Sequence, residues 1–280
     1  PKTDRIHTTF SQTSVETGRL ASSRPNLQNI PASSSFGLRI REAFRAEEGK
    51  FFLSADYSQM ELRVLACLAD DPVLQDSFLH NRDIHTETAA YIFDIDRGQV
   101  TQAQRQIGKR INFSIMYGLT PYGLSRELGI SVKEATTYIN SYFKRYAGVA
   151  EWMKKIIQEA EKQGYVTTYY GRRRYIRGIH EKNKTLYQEA CRIAVNTVVQ
   201  GTAAEIMKLG MIKLDALCSR DFPDAFILLQ IHDELLVSVP IKDIEAVKMC
   251  VKKSLEESIQ WVVPFVVAIR TGKTWKDVTK

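Results

Sequence analysis

At 280 residues and 44% hydrophobic content the chain can bury a large core and is too apolar to be disordered. Its 39 basic and 32 acidic residues give a formal charge of +7, which suits a nucleic-acid partner and leaves enough carboxylates for local anionic sites. No run of eighteen apolar residues, no signal peptide and no paired or His-flanked cysteines (Cys67, Cys191, Cys218 and Cys250) are present, so a membrane span, zinc site or disulfide framework is not expected; the expected location is the cytoplasm.

Up to Ser35 the chain is rich in Ser, Thr, Pro and Asn, and reads as extended segments and turns leading into a first structural element. FFLSADY at 51–57 has the pattern of a buried strand ending in an acid. Helical periodicity then dominates from Gln59 to about Gln163, with breaks at Asp71-Pro72, Gly98, Gly118 to Gly123, Gly129 and Gly148. The segment 165–179 around Gly171 reads as a hairpin-like excursion, and Leu186 to Ala216 as helix. AFILLQI at 225–231 and LLVSV at 235–239 read as two strands joined by a tight turn with His232, Asp233 and Glu234 at its tip. A helix from Ile241 to Ile259 and a strand from Val262 to Ile269 complete the expectation.

Three constellations carry chemistry. Asp56, at a strand end, is an ordinary helix N-cap when read alone. Asp233 and Glu234 occupy a turn where Gly or Asn is favoured, and adjacent like charges are costly without a compensating cation. Two carboxylates from separate strands, completed by substrate phosphates, suit Mg²⁺, and a pair of such ions suits phosphoryl transfer, for which polymerases are an established example. In QAQRQIGKRINFSIMYG at 102–118, Arg105, Lys109, Phe113 and Tyr117 recur every four residues on one helical face. Alone this is an amphipathic helix; beside a metal site, the cations suit a triphosphate and the aromatics a base and sugar.

These elements resemble motifs A, B and C of family A DNA polymerases: DYSQMELR, R-x-x-x-K-x-x-x-F-x-x-x-Y-G, and HDE between apolar strands. The resemblance extends through TGRLASSRPNLQNIP at 17–31, RDIHTETAAYIF at 82–93, GRRRY at 171–175 and VNTVVQGTAAEIMKL at 195–209. It implies that Asp56, Asp233 and the Tyr57 carbonyl bind two Mg²⁺ ions, with Mn²⁺ as a substitute, and that Glu234 is a supporting acid. It further implies that Arg105, Lys109 and His85 bind triphosphate, with Lys109 also protonating pyrophosphate. Phe113, Tyr117, Tyr57 and Gln59 lie against the nucleotide, and Glu61 is a steric gate below the sugar. Arg19, Gln200 and His232 are implied at the minor groove and primer terminus, and Arg192, Asn196, Asn26, Gln28 and Asn29 on DNA backbone or template.

The implied fold is α+β: an antiparallel palm sheet backed by helices, with a mostly helical fingers subdomain inserted. The palm would comprise 1–66 and 187–280 and the fingers 67–186. The implied activity is template-directed addition of deoxynucleotides to a primer by a monomer associated with the nucleoid when on DNA. Members carry an exonuclease-like domain and a thumb ahead of the matching segment, and this chain opens on Pro1, so a fragment without them is expected. Phe113, where some members have Tyr, implies discrimination against nucleotides lacking a 3′-hydroxyl. Asn196-Thr197-Val198 replaces the family's usual Asn-x-Pro and leaves the local helix geometry open. Two alternatives stand beside this reading: a binding module that has lost catalysis, against which the four residues Asp56, Asp233, Arg105 and Lys109 together argue, and a single-subunit RNA polymerase relative, which would lack an acid at Glu61.

Overall fold

The structure, a computed structural model, describes residues 3–118 and 120–280. In chain order the elements are β1 (Thr9–Ser11), β2 (Ala21–Ser23), α1 (Ser35–Ala43), β3 (Lys50–Tyr57), α2 (Met60–Leu68), α3 (Pro72–Leu79), α4 (Ile84–Phe93), α5 (Gln102–Met116), α6 (Pro121–Leu128), α7 (Val132–Arg145) and α8 (Ala147–Gln163). There follow β4 (Tyr165–Thr167), β5 (Arg173–Tyr175), α9 (Lys184–Asp221), β6 (Phe226–Ile231), β7 (Glu234–Pro240), α10 (Ile244–Glu256) and β8 (Val267–Gly272). They form two compact units, one of Pro1–Met60, Ala203–Gln260 and Phe265–Lys280, the other of Glu61–Thr202 and Trp261–Pro264.

The first unit is built on a four-stranded antiparallel sheet of order β6-β7-β3-β8. Alternation along β3 sends Leu53, Ala55 and Tyr57 to one face and Phe52, Ser54 and Asp56 to the other. The first face packs with Leu235, Val237 and Val239 of β7 beneath α10, whose Val247, Val251 and Leu255 are also buried. On the second face Phe52 and Leu236 join Leu27, Leu229, Ile231, Trp275 and Val278 in one apolar cluster. A one-residue slip would exchange the faces and drive Ser54 and Asp56 under α10. With each buried aliphatic or aromatic side chain contributing about 2 kcal/mol, the register is fixed.

The second unit is helical, and side-chain caps set where its helices begin. Asp71 Oδ1 accepts from Val73 and Leu74 N–H at the start of α3, while its Oδ2 accepts from Gly148 N–H (2.9 Å) and Val149 N–H (3.4 Å) at the start of α8. One buried carboxylate thus caps two helices, and Gly148 is needed there because a Cβ would lie 2.9 Å from the Asp71 Cα. Capping boxes at Thr101/Gln104 and Ser131/Glu134 start α5 and α7. Asn183 Oδ1 accepts from Thr185 and Leu186 N–H at the start of α9.

Several expectations shift. The last strand is β8 at Val267–Gly272 instead of 262–269, because Pro264 offers no N–H to a ladder and its carbonyl is taken by Arg63 Nη1 at 2.6 Å. The helix expected from Ile241 to Ile259 opens with a 3₁₀ turn at Ile241–Asp243, and α10 ends at Glu256. Helix α9 runs 38 residues without interruption, since Val198 keeps the N–H that a proline would remove. The 165–179 segment is the two-stranded hairpin β4–β5. Among the described residues no helix is long and apolar enough to cross a membrane.

Asp71→Ala removes the caps of α3 and α8 together. A single cap is worth about 1 kcal/mol, so the expected loss of stability in urea unfolding is about 2 kcal/mol or more. A loss no larger than that of an exposed surface substitution would contradict the double-cap assignment.

Candidate active site

In the sheet unit, β3 and β7 pair so that Asp56 lies directly opposite Glu234. Ile231 pairs with Glu234 across a two-residue loop of His232 and Asp233. Glu234 is therefore the first residue of β7 and not at the tip of the turn, which corrects the sequence expectation. Tyr57 N–H donates to the Asp233 carbonyl at 3.0 Å, tying the loop to the end of β3. His232 has φ of 54°, a left-handed conformation that costs a non-glycine residue about 1 kcal/mol or more. The Gln230 amide reaches the His232 carbonyl, and the Gln28 amide reaches the Gln230 carbonyl (3.0 Å) and side chain (3.2 Å), which braces the strained turn.

Asp56 and Asp233 thus sit together at one end of the sheet. Burial raises the Asp233 carboxyl above its ordinary range, Asp56 adds to the rise, and Arg19 and His232 oppose it. Arg19 Nη2 stands 4.0 Å from Asp233 Oδ1, and Lys280 Nζ stands 3.0 Å from Asp56 Oδ2. Glu234 is also raised by burial and Asp56, against the Ser54 hydroxyl, which donates to it at 2.6 Å, and against Arg41 and Arg270. The Tyr57 ring is in the core with its hydroxyl on the Leu255 carbonyl at 2.6 Å, so only its backbone is available to a ligand. Two carboxylates and a carbonyl are hard oxygen donors, and an Asp233 carboxyl raised by burial and by the neighbouring Asp56 gains from a divalent cation; this donor set fits Mg²⁺. Among the described residues no three His, Cys, Asp or Glu side chains are grouped so that they could hold a metal ion. Arg19, Lys208, His232 and Asp233 border one cleft, and Lys208 is a cation that sequence reasoning did not single out.

Asn26 Oδ1 accepts from Gln28 N–H at 2.9 Å, and Gln28 Oε1 accepts from Ser22 N–H at 3.1 Å. Gln28 therefore holds the N-terminal segment to the sheet. Asn26 and Asn29 are exposed, and Gln59 is half-buried.

In the helical unit, Arg105 and Lys109 project from α5, half-buried and exposed respectively. Arg105 Nε donates to Asp83 Oδ2 at 2.6 Å, and Asp83 Oδ1 caps α4 through His85 and Thr86 N–H. Burial would raise the Asp83 carboxyl, but Arg105 and these amides hold it below its usual range. Asp83 orients Arg105, a role that no local sequence pattern signals. His85 is buried at the start of α4, with Phe113 tilted against it at a centroid distance of 5.9 Å. Tyr117 terminates α5 instead of continuing it, and its hydroxyl donates to the buried Glu61 carboxylate at 3.0 Å. Gln200, Asn196 and Arg192 lie half-buried on α9, with the Arg192 stem against Gly118, where a Cβ would meet it at 2.3 Å.

A carboxylate pair at the end of an antiparallel sheet is suited to holding divalent cations, and, taken by itself, a cationic and aromatic helix face is suited to a nucleotide. The chain matches the family model described as DNA polymerase family A over residues 1–277, and it belongs to that family. Among curated relatives, DNA polymerase I of Deinococcus radiodurans is 45% identical over 277 residues, 99% of this chain and 29% of the relative. The thermostable DNA polymerase I of Thermus filiformis is 45% identical over 282 residues, 99% of this chain and 33% of the relative. A solved structure, the POL domain of Pol1 from M. smegmatis in complex with DNA primer-template and dNTP, aligns with a TM-score of 0.95 at 38% identity, covering 99% of this chain and 49% of that one. The chain spans about a third of the length of these curated relatives.

The raised Asp233 carboxyl has a consequence for stability. In the carboxylate range the native state keeps a proton that the unfolded chain has lost, so this group's contribution is greatest at low pH and is lost as pH rises through the folded-state pKa. Asp233→Asn should therefore raise the Tm of metal-free protein at pH 7, with the gain shrinking as pH falls through about 4. Millimolar Mg²⁺ should raise the wild-type Tm and leave the variant nearly unmoved. A lower Tm for the variant at pH 7 would show that Asp233 is not held at an electrostatic cost.

Proposed function

We propose that this chain forms the palm and fingers of a template-directed DNA polymerase, adding deoxynucleotides to a primer 3′ end by two-metal nucleotidyl transfer with release of pyrophosphate. The observation that carries the reading is the pairing of β3 with β7, which sets Asp56 beside Asp233 in a chain of family A. Primer-template DNA and deoxynucleoside triphosphates are the proposed partners, in line with what the solved relative holds. The proposed active form is a monomer.

Asp56, Asp233 and the Tyr57 carbonyl would hold Mg²⁺, with Mn²⁺ as a substitute. Divalent ions held there would supply Lewis-acid chemistry, lowering the pKa of the primer hydroxyl and neutralising charge on the leaving oxygens. Glu234, held by Ser54, is the supporting acid beside the pair. Arg105 grips phosphate oxygens from an orientation set by Asp83, and Lys109 delivers a proton to departing pyrophosphate. Phe113 and Tyr117 stack on the base and sugar, and Gln59 lines the same nucleotide position. Glu61, locked by Tyr117, fills the space that a ribose 2′-hydroxyl would need. Arg19, Gln200 and His232 donate to minor-groove acceptors that all correct base pairs share, so they test geometry without reading sequence. Arg192, Asn196, Asn26 and Asn29 contact DNA backbone or template.

Asp56→Asn and Asp233→Asn are each expected to abolish primer extension in Mg²⁺ while leaving primer-template affinity largely intact, because duplex affinity rests on Lys and Arg contacts to phosphate. Extension by either variant at near wild-type rate would refute the metal assignment. Glu61→Ala is expected to raise ribonucleotide incorporation by about tenfold or more relative to deoxynucleotide. An unchanged ratio of kcat/KM for the two sugars would remove Glu61 from the gate.

A further inference from the structure

We infer that Asn112 is a positioning residue that fixes His85 as the tautomer with its proton on Nε2, so that His85 meets the triphosphate as an uncharged N–H donor. The inference rests on the triphosphate role of His85 proposed above.

Helices α4 and α5 approach closely at Gly108, where a Cβ would stand 2.3 Å from the His85 carbonyl. One turn further along α5, Asn112 is fully buried against α4. Its Nδ2 lies 3.4 Å from the Ile84 carbonyl and 3.1 Å from His85 Nδ1, and its Oδ1 lies 3.0 Å from Thr88 Oγ1. The Ile84 carbonyl can only accept, so the amide nitrogen belongs on that side. Its second hydrogen then faces His85 Nδ1, which must be the bare, accepting nitrogen. A neutral imidazole has one N–H, and it is left on Nε2. The Thr88 hydroxyl donates to Asn112 Oδ1, and the Tyr146 hydroxyl, 3.0 Å from Thr88 Oγ1, donates in turn. The Thr88 hydroxyl also reaches the Ile84 carbonyl at 2.8 Å, so its one proton is shared between that carbonyl and Asn112 Oδ1.

The charges around His85 agree. Burial lowers its pKa most, Arg105 and Lys109 from α5 lower it further and Asp83 opposes them, leaving it at about 4. Protonation at Nδ1 would also set two donors head to head. A neutral donor between Arg105 and Lys109 adds a directional phosphate contact without a third positive charge, which would tighten substrate and product alike.

The test is ¹⁵N-resolved NMR of the imidazole in the intact, selectively His-labelled protein, which has five histidines. Wild type should show the Nε2–H tautomer, uncharged from about pH 6 to about pH 8. Asn112→Asp replaces the donor with an acceptor and should place a proton on Nδ1 and move the titration upward, with folding checked by circular dichroism. An Nδ1–H tautomer in wild type would overturn the inference without any variant, as would identical tautomer and titration in folded Asn112→Asp. Affinity for dATP with primer-template separates the two layers. His85→Ala should weaken it about tenfold, the scale of one lost hydrogen bond to a charged ligand. Unchanged affinity would overturn the phosphate role while leaving the tautomer assignment to the spectra.

Discussion

The site depends first on one antiparallel pairing. β3 and β7 share a register in which Asp56 faces Glu234 and the Tyr57 amide closes onto the Asp233 carbonyl. Both faces of that sheet are covered, by α10 on one side and by the cluster around Trp275 on the other, so the strands are held against slippage by burial on two sides. Carboxylates can then be set side by side at the sheet's end even though they repel. The fold carries that cost in a left-handed His232 and in raised carboxyl pKa values, both at the point where a cation would act.

The helical unit solves a related problem with opposite charge. Arg105 and Lys109 stand on α5, and the anionic Asp83 at the head of α4 keeps Arg105 oriented. The same stretch of α4 carries His85, which burial and these cations keep neutral. The proposed phosphate-binding groups are therefore graded: a fork held by a carboxylate, an exposed ammonium, and an uncharged imidazole. Each has a different response to pH and salt.

Much of this was legible in the residue order. The apolar runs at 51–57 and 225–239 made strands unavoidable, and acids at their ends were conspicuous because turn chemistry argues against them. What escaped was whatever depends on a partner distant in sequence. Asp83 and Asn112 look like a helix cap and a polar position on an amphipathic helix until α4 and α5 are packed together. Gln28, in a segment for which DNA contacts are proposed, also uses its amide within the protein to brace the loop. The late start of β8 turns on Pro264 and on Arg63, 201 residues earlier, a pairing that no local pattern announces.

Asp71 has a further meaning for how the helical unit moves. Its two oxygens hold the first turns of α3 and α8, the second reached across 77 residues of chain from Asp71 to Gly148. Neither turn can fray without disturbing the acceptor of the other, so their amides belong to one cooperative opening unit in hydrogen exchange. A helical assembly built of short segments would otherwise loosen piecemeal; here two of its ends open and close as one.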